Sequence, residues 1–325
     1  MIDGQNVLIT GGTGSFGTRF IETCLERYNP AKLIIYSRDE YKQFVMGQRL
    51  TDDRLRYFIG DVRDQDRLKM AMRGVDVVIH AAALKQVPTA EYNPMECVKT
   101  NVLGAENVVA ATIHCGVKRV VALSTDKACN PINLYGATKL ASDKIFVASN
   151  SLAGKDGTRF CVVRYGNVVG SRGSVVPFFQ GLIDKGADHL PITDDRMTRF
   201  WITLDQGVYF VLSSLEMMEG GELFVPKIPS MRVVDLAKVM APNLPHKIVG
   251  IRPGEKLHEV MISEDDSRES LELKDRYLVK PAFPWWTTKA YDAKGTRVPE
   301  NFRYSSDNNT DWVDGDRLAE MMKKP

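Results

Sequence analysis

The sequence predicts an α/β fold in which a doubly wound parallel sheet carries helices on both faces. Three observations predict it. Short apolar runs alternate with segments of helical length through the first half of the chain, as in repeated strand–helix–strand units. The runs are almost continuously apolar, which is typical of strands buried on both faces. A glycine-rich turn separates the first run from the first helical segment.

The elements of the first half are predicted from this alternation. The predicted strands are residues 7–10, 33–36, 56–59, 75–80, 120–124 and 160–164. The predicted helices are residues 18–28, 41–50, 64–72, 93–115 and 135–149. Each helical segment is long enough to return the chain across the sheet, so consecutive strands are expected to be parallel.

The alternation weakens after Gly166, where glycines and prolines become frequent. We therefore predict two domains, a sheet domain at 1–166 and mainly a smaller C-terminal lobe at 167–325, from which some segments return to the sheet domain. The lobe is predicted to contain a helix at 231–240, a strand at 247–251 and a solvated surface helix or loop at 265–275. Trp285 and Trp286 are predicted to lie in the core or at an oligomer contact.

The composition excludes several classes of protein. The 325 residues carry 43 Lys and Arg against 41 Asp and Glu, a net charge of +2, so nothing favours binding to nucleic acid. No apolar run approaches the roughly 18 residues of a membrane span, and no signal-peptide core is present. Five cysteines without CxxC spacing favour reduced thiols in a cytoplasmic protein.

The glycine-rich turn indicates a dinucleotide site. Gly11, Gly14 and Gly17 are spaced three residues apart. Backbone amides at a helix N-terminus can bind a pyrophosphate, and glycine lets the phosphate approach closely. The same turn contains Thr13, Ser15 and Phe16. A tight structural turn is the alternative, but the strand–turn–helix context favours a Rossmann-type domain.

The end of the second strand indicates which dinucleotide is bound. A site that prefers NAD usually has an acid here for the ribose 2′-hydroxyl, whereas this chain has Ser37 and Arg38 before Asp39, with Lys42 one turn later. Two cations and a hydroxyl can bind a 2′-phosphate, so we predict NADP; ordinary surface charges are the alternative. The next two strand ends are expected to contact the cofactor through Asp61, Val62, Ala81 and Ala82.

The end of the fifth strand carries the candidate catalytic residues. Tyr135 and Lys139 lie four residues apart in a predicted helix and share one face, where the ammonium is expected to lower the pKa of the phenol. Asp126 and Lys127 precede them as an adjacent acid and potential base. An isolated Asp–Lys pair is most simply an ion pair that caps a loop, but beside Tyr135 and Lys139 catalysis is favoured.

Motifs in the first half resemble those of the extended short-chain dehydrogenase/reductase family. They are segments 10–17, 61–62 and 80–83, the Ser/Thr pair that ends the fifth strand, and Tyr135-x-x-x-Lys139. Their joint order and spacing are far more specific than the glycine motif alone.

Further segments resemble a narrower group, the soluble, C5-inverting UDP-N-acetylglucosamine 4,6-dehydratases of the pseudaminic-acid or capsule type. They are residues 83–88, 124–131, 164–168, 170–175 and 197–200, so the resemblance covers most of the chain. The dTDP-glucose dehydratases differ, because they carry Asp-Glu in place of Asp126-Lys127. The membrane-anchored, retaining enzymes usually carry Met in place of Tyr135 and have N-terminal membrane spans.

The resemblance implies a redox-neutral reaction that begins at C4 of the sugar. Tyr135 would take the proton of the C4 hydroxyl while hydride passes to NADP. Lys139 would bind the nicotinamide ribose, and Thr125 or Ser124 would hydrogen-bond the C4 oxygen, with Ser124 also close to the cofactor.

The same resemblance implies roles for the adjacent acid and base. Lys127, as a neutral amine with a lowered pKa, would remove the C5 proton. Asp126, kept protonated by burial, would protonate the departing C6 hydroxyl. Hydride return to C6 and reprotonation from the opposite face of C5 would give UDP-2-acetamido-2,6-dideoxy-L-arabino-hex-4-ulose.

Residues of the substrate site are expected mainly in the second half. They are Lys85, Asn167, Val175, Arg199, Arg252 and Glu255. Arg199 and Arg252 are candidates for the UDP pyrophosphate because a guanidinium matches phosphate geometry. Glu255 would contact the ribose, and Lys85 would reach cofactor phosphate or substrate. The five histidines have no ligand spacing, so no metal is predicted.

Two other functions remain open from the sequence. A nucleotide-sugar 4-epimerase would need Tyr135 and Lys139 but not the Asp126-Lys127 pair. A non-catalytic NADP-sensing regulator would not need an intact Tyr-x-x-x-Lys motif. The family resemblance also implies a homo-oligomer, with a hexamer suggested.

Overall fold

The computed structural model describes residues 1–282, Tyr291 and residues 295–323. Trp285 and Trp286 lie outside the described residues, so their predicted place in the core or at an oligomer contact stays a prediction.

Strands and helices alternate through the first half and become shorter in the second. The strands are β1 (Asn6–Thr10), β2 (Lys32–Ser37), β3 (Leu55–Ile59), β4 (Val77–His80), β5 (Arg119–Thr125), β6 (Arg159–Tyr165), β7 (Asn167–Val168), β8 (Leu190–Ile192), β9 (Thr198–Ile202), β10 (Leu223–Pro226), β11 (Ser230–Arg232), β12 (His246–Ile248), β13 (Val260–Ile262), β14 (Ser270–Glu272), β15 (Arg276–Val279), β16 (Thr296–Arg297) and β17 (Tyr304–Ser305). The helices are α1 (Ser15–Arg27), α2 (Glu40–Arg49), α3 (Gln65–Ala71), α4 (Val87–Tyr92), α5 (Pro94–Val98), α6 (Gly104–Cys115), α7 (Leu134–Ala153), α8 (Val175–Asp184), α9 (Leu204–Met217), α10 (Val233–Met240), α11 (Glu264–Ser267) and α12 (Gly315–Lys323).

The main sheet confirms the predicted doubly wound architecture. Its strand order is β16-β14-β15-β10-β6-β5-β4-β1-β2-β3, and the seven strands from β10 to β3 run parallel. The chain order reverses between β1 and β4, which is where open α/β sheets place their ligands, beyond the carboxyl ends of the strands. The predicted catalytic stretch leaves β5, the neighbour of β4.

The far edge of this sheet differs from the prediction. The run 265–275 is not only a surface helix or loop, because it contains β14, which pairs antiparallel with both β15 and β16. Ser270 and Leu271 of this strand are buried, while Glu272 is exposed and pairs with Lys227 at 2.7 Å. The charged composition of the run did not indicate so short a strand, because most of the charged residues of the run lie outside β14.

The predicted helix at 93–115 is interrupted. Between α5 and α6, residues Lys99–Leu103 form a π-helical turn. Asn101 lies in this turn, and its side-chain amide bonds the backbone N–H and C=O of Leu84 at 2.8 and 2.9 Å. The extra residue of a π turn re-aims side chains, and here it ties the helix to the segment that follows β4.

The second half is divided between the lobe and the main sheet. One set of buried residues forms a separate core for the lobe, including Phe179, Trp201 and Leu236. In contrast, β10 extends the main sheet beside β6, and α9 packs against α1. The domain boundary after Gly166 stays a prediction, and segments beyond it belong to the first core.

The start of α7 is fixed by local chemistry. Asn133 is the N-cap residue, and its Oδ1 accepts the backbone N–H of Gly136 at 2.8 Å. A Cβ on Gly136 would lie 2.2 Å from the carbonyl oxygen of Lys127. Only glycine therefore lets the first turn of α7 lie directly against the turn that carries Lys127.

Candidate active site

A single large cleft lies over the carboxyl ends of the parallel strands. Its volume is about 1070 Å³, and every predicted site residue lines it except Asp126. It extends from the glycine-rich turn, past the ends of β2, β4 and β5, to the lobe. Its size and shape suit a dinucleotide and a second ligand end to end.

The glycine-rich turn forms a cradle that side chains would fill. Gly11 has φ of +67°, and a Cβ there would lie 2.9 Å from the backbone nitrogen of Ala82. A Cβ on Gly17 would lie 2.6 Å from the Cα of Gly12. Gly14 is the N-cap of α1, and no side chain in the described part of the chain caps it. The first amides of α1 are therefore available to a pyrophosphate, so the turn fits a dinucleotide.

Gly17→Ala is expected to lower the melting temperature by a few degrees and to weaken dinucleotide binding. The added methyl overlaps the backbone of Gly12, and overpacking of this kind costs about 1–3 kcal/mol. Gly181→Ala in α8 is the matched control, because no described atom lies within 4 Å of its Cβ position. Thermal melts with and without dinucleotide check both variants. Equal melting temperatures and affinities for the two would contradict the packing argument.

The carboxylate that follows β2, Asp39, is already bonded and is therefore little available to a ribose hydroxyl. Asp39 caps α2, with Oδ1 accepting the Lys42 N–H at 2.9 Å and Oδ2 lying 2.5 Å from Lys42 Nζ. These bonds to Lys42 lower the pKa of Asp39. Arg38 is 53% exposed and lies 3.5 Å from Asp61. The Ser37 hydroxyl accepts a bond from Gln43 at 3.0 Å and can still donate.

Arg172 is a cation of this site that the sequence analysis did not select. Its guanidinium donates to the carbonyl of Thr13 at 3.1 Å, and its backbone N–H donates to Ser15 Oγ at 3.3 Å. It also contributes to the lowered pKa of Asp39. Because Arg172 comes from the lobe, nothing in its sequence spacing links it to the glycine-rich turn.

The segment after β4 passes close to the cleft, as predicted. The backbone N–H groups of Ala81 and Ala82 both donate to Thr10 Oγ1 at 3.2 Å, which joins the end of β4 to β1. His80 is buried beside Thr10, and burial lowers its pKa to about 3. A neutral, buried His80 fits a structural role. Lys85 lines the cleft, and burial together with the charge of Lys127 lowers its pKa.

The turn after β5 holds Asp126 and Lys127 in different environments. Asp126 is fully buried, and its Oδ1 accepts bonds from Thr125 Oγ1 at 2.9 Å and Lys127 Nζ at 3.0 Å. Its Oδ2 has no hydrogen-bond partner among the described residues. Burial raises the pKa of Asp126, the direction expected for an acid that keeps its proton. Asp126 does not reach the cleft, whereas Thr125 and Lys127 do.

The prediction of a lowered Lys127 pKa is wrong for this structure. The ammonium lies 3.0 Å from Asp126 and 3.3 Å from Glu259. Burial alone would lower the pKa of Lys127, but the two carboxylates outweigh burial and raise it. Burial and the neighbouring Arg199 act in the predicted direction, but the carboxylates of Asp126 and Glu259 outweigh them.

The prediction of a lowered Tyr135 pKa is also wrong for this structure. Burial raises the pKa of Tyr135 to about 12. Lys127 opposes this increase most strongly, followed by a hydrogen bond with Thr125. Lys139 donates instead to the carbonyl of Leu123 at 2.7 Å. The charge that most opposes the increase therefore comes from Lys127 rather than from Lys139.

Ser124 is turned away from a direct role at the C4 oxygen. Its hydroxyl donates to Asp143 Oδ2 at 2.7 Å. Asp143 also accepts from Arg164 at 3.3 Å, and all three side chains are buried. The Thr125 hydroxyl also donates to an aspartate, Asp126, but it is hydrogen-bonded to Tyr135 as well, so Thr125 is the better placed of the two candidates for that oxygen.

Glu259 is a second residue of the site that the sequence analysis missed. Its side chain is 2% exposed and lies 3.3 Å from Lys127, 3.7 Å from Lys256 and 3.9 Å from Arg199. These cations, with Lys127 first, lower its pKa against the opposing effect of burial. The residue is far from Lys127 in sequence, and the family motifs quoted above do not include it.

The predicted substrate residues differ in how free they are to bind a ligand. Arg252 is more than half exposed, stacks 5.8 Å from the Phe178 ring centre, and lies 3.7 Å from Glu255. Glu255 Oε2 has no hydrogen-bond partner in the described part of the chain. Asn167 lies 3.5 Å from Lys127 Nζ, and Val175 lines the cleft.

Arg199 is the exception among these residues. It is buried, and its guanidinium donates to the carbonyls of Thr198, Lys256 and Leu257 at 2.7, 2.9 and 3.1 Å. Those bonds occupy the groups that would bind a pyrophosphate. Arg199 therefore lines the cleft with few donors left for a phosphate, and Arg252 is the better phosphate candidate.

Among the described residues, no three His, Cys, Asp or Glu side chains are grouped so as to hold a metal ion. Across residues 1–282, 291 and 295–323, no helix has the length and apolar character needed to cross a membrane.

The fold and the site together define an enzyme of the short-chain dehydrogenase/reductase class, with a dinucleotide cleft that ends at Tyr135 and Lys139. The chain belongs to the polysaccharide biosynthesis protein family, whose model matches residues 7–281. It is 60% identical to a UDP-N-acetylglucosamine 4,6-dehydratase (inverting) from Campylobacter jejuni, over 99% of this chain and 98% of the relative. This similarity confirms the resemblance stated from the motifs.

Other relatives and solved structures are similar over less of their length or at lower identity. A UDP-glucose 4-epimerase from Rickettsia canadensis is 44% identical over 85% of this chain and 82% of the relative. The crystal structure of Pen from Bacillus thuringiensis is 35% identical, with a TM-score of 0.90 and coverage of 99% and 98%. DesIV, a dTDP-glucose 4,6-dehydratase from Streptomyces venezuelae solved with NAD, is 24% identical with a TM-score of 0.72, covering 78% and 86%, and supports the fold alone.

Proposed function

We propose that this chain is a UDP-N-acetylglucosamine 4,6-dehydratase that inverts C5 of the sugar. The carrying observation is that Lys127 faces the cleft beside Tyr135, at the carboxyl end of β5. Tyr135 is needed for any hydride transfer, whereas Lys127 supplies the base that elimination needs and a 4-epimerase does not. Similarity to the Campylobacter enzyme supports the same reaction.

The redox half of the reaction uses the generic residues of the cleft. When bound, the nicotinamide would accept a hydride from C4 and return it at C6. Tyr135 takes the proton of the C4 hydroxyl, Thr125 bonds the C4 oxygen, and Lys139 holds the nicotinamide ribose. Lys127 assists by favouring the phenolate, since it is the largest charge that lowers the pKa of Tyr135.

The elimination half uses Lys127 and Asp126. Lys127, after releasing its ammonium proton to water, takes the proton from C5. The C6 hydroxyl leaves as water with a proton from Asp126. Because Asp126 is buried behind Thr125 and bonded to its hydroxyl at 2.9 Å, that hydroxyl can pass the proton to the cleft. C5 then takes a proton derived from water on its opposite face, while hydride returns to C6.

The mass of the product distinguishes this function from its nearest rival. A 4-epimerase is favoured by one observation, the 44% identity to the Rickettsia relative. We expect purified protein and UDP-N-acetylglucosamine to give a product lighter by one water. A product of unchanged mass would support the epimerase, and recovery of unmodified substrate would reject both.

We also propose NADP as the cofactor. Arg38, Lys42 and Arg172 surround the end of β2, and Asp39 is engaged by Lys42 and by the α2 N-terminus. The ribose 2′-hydroxyl of NAD needs none of these cations, whereas the 2′-phosphate of NADP needs cations to balance its negative charge.

Arg38→Ser should weaken NADP binding by about 10- to 100-fold, because a hydrogen bond to a charged group contributes about 1.5–3 kcal/mol. Binding of NAD should change little. Calorimetric titration of each dinucleotide measures both affinities. Arg268→Ser, an exposed arginine beside Asp265, is the matched control. Equal losses for NAD and NADP, or tighter binding of NAD by the parent, would contradict the proposal.

The biological setting is proposed by resemblance. The product would enter the synthesis of pseudaminic acid or a related capsular or flagellar sugar. A cytoplasmic location and a homo-oligomer, with a hexamer suggested, remain predictions that size measurement and fractionation can test.

A further inference from the structure

We propose that Glu259 is a positioning residue for Lys127: its buried carboxylate holds the Lys127 amine at the cleft wall and sets the pH range in which that amine can take the C5 proton. This inference rests on the proposed dehydratase function. It assigns a role to a residue that directly precedes β13, far along the chain from the catalytic stretch.

The backbone of Glu259 is clamped in place. Its N–H donates to Ser306 Oγ at 2.9 Å, and its carbonyl accepts the Ser306 N–H at 2.8 Å. The carboxylate is directed toward Lys127 at 3.3 Å. A fixed backbone and a buried side chain give the carboxylate one orientation, so it can hold a lysine side chain, which has many rotamers, in one place.

The other cations near Glu259 have backbone partners of their own. Arg199 donates to three carbonyls, and Lys256 donates to the carbonyl of Cys129 at 2.5 Å. Lys127 has no such backbone partner for its ammonium among the described residues. It contacts Asp126, Glu259 and the Asn167 side chain. Arg199 and Lys256, at 3.9 and 3.7 Å, thus attract the Glu259 carboxylate without bonding it, and Lys127 at 3.3 Å is its nearest cation.

The two carboxylates around Lys127 have opposite character. Burial raises the pKa of Asp126, whereas cations lower the pKa of Glu259. Glu259 therefore favours its ionised form more strongly than Asp126 does, and Asp126 is the better placed of the two to supply a proton to the C6 hydroxyl.

Glu259 acts on the chemistry through the basicity of Lys127. In the step, the C5–H bond breaks, its proton forms a new N–H bond on Lys127, and the electron pair of C5 enters the 4-keto system. An adjacent carboxylate stabilises the resulting ammonium. The same attraction means that Lys127 loses its first proton only at higher pH.

The charged groups that face Lys127 come from several elements. They are Asp126 in its own turn, Tyr135 of α7, Lys85 after β4, Arg199 of β9 and Glu259 before β13. Lys256 reaches the cluster through Glu259. Among them, Asp126 and Glu259 raise the pKa of Lys127 and Arg199 lowers it, so loss of Glu259 has a defined sign.

The test is the pH dependence of deuterium incorporation at C5 from deuterated water. Activity that needs a neutral amine rises with pH to the pKa of that amine, and removing a carboxylate lowers this pKa. In Glu259→Gln, the rising limb should move to lower pH by about one unit or more. Glu259→Asp keeps the negative charge, but its shorter side chain places that charge farther from Lys127. Its rising limb should therefore lie between those of Glu259→Gln and the parent.

The control is Glu222→Gln, another buried glutamate, which caps the 219–220 turn outside the cleft. It should lower stability without moving the limb. If the parent eliminates water and the rising limb of the Glu259→Gln pH profile stays at the parental pH, the inference is overturned. If Glu259→Gln does not fold, the pH profile of Glu259→Asp is the test. A rising limb at the parental pH in that variant would also overturn the inference. A parent that does not eliminate water would instead overturn the proposed function.

Discussion

Lys127→Ala should lower the rate of water loss from UDP-N-acetylglucosamine by about 10²- to 10⁴-fold, the usual contribution of a positioned base. Dinucleotide binding should be retained, because Lys127 lies at the substrate side of the cleft, away from the glycine-rich turn. Mass spectrometry of the product measures the rate. Lys118→Ala is the control, since this exposed lysine lies just before the opposite end of β5 and pairs with Asp76.

A second substitution separates a base from a structural ion pair. Lys127→Arg keeps a cation between Asp126 and Glu259, but a guanidinium cannot be deprotonated at working pH. We expect this variant to melt near the parental temperature and to lose water elimination as fully as Lys127→Ala. Parental elimination by Lys127→Arg would show that the pair only caps the turn, which is the alternative the sequence left open.

Tyr135→Phe should lower the rate of the C4 oxidation by about 10²- to 10⁴-fold and abolish the later steps with it. Loss of the phenol removes the group that takes the hydroxyl proton, while the buried ring is retained. A single-turnover measurement of the nicotinamide absorbance with substrate follows this step directly.

The contrast with Lys127→Ala makes the Tyr135 experiment informative. Lys127→Ala should still oxidise C4, but more slowly, because the pKa of Tyr135 rises without the cation that lowers it most. Tyr57→Phe is the control for loss of a phenol hydroxyl, since the Tyr57 hydroxyl has no hydrogen-bond partner among the described residues. Nicotinamide reduction at the parental rate by Tyr135→Phe would contradict its role as the C4 base.

The fold of the first half could be predicted because its signals are local. A buried parallel strand is a short apolar run, and the strand–turn–helix at Gly11–Gly17 depends only on adjacent residues. The antiparallel edge could not be predicted, because β14 is three residues long within a charged run. The π turn was missed because its cause, the bonds between Asn101 and Leu84, is a tertiary contact.

The residues of the site also divide into those that the sequence could predict and those that it could not. Motif residues were located because motifs fix their place at strand ends, and all but Asp126 line the cleft. The signs of two pKa shifts were wrong, because they depend on how deeply each side chain is buried and on which charges lie beside it. Asp126 and Glu259 raise the pKa of Lys127, and burial raises the pKa of Tyr135, where Lys127 rather than Lys139 is the cation that opposes the increase most. Glu259 lies outside the quoted motifs, and the place of Arg172 within segment 170–175 does not indicate its contacts with the glycine-rich turn.

The central claim is that Lys127 and its neighbours remove water and invert C5. Its most direct test is nuclear magnetic resonance of the product formed from UDP-N-acetylglucosamine in deuterated water. The account predicts a 4-keto-6-deoxy sugar with deuterium at C5 and the L-arabino configuration. A 4-keto-6-deoxy product whose C5 keeps its original configuration, or a product that has lost no water, would contradict it.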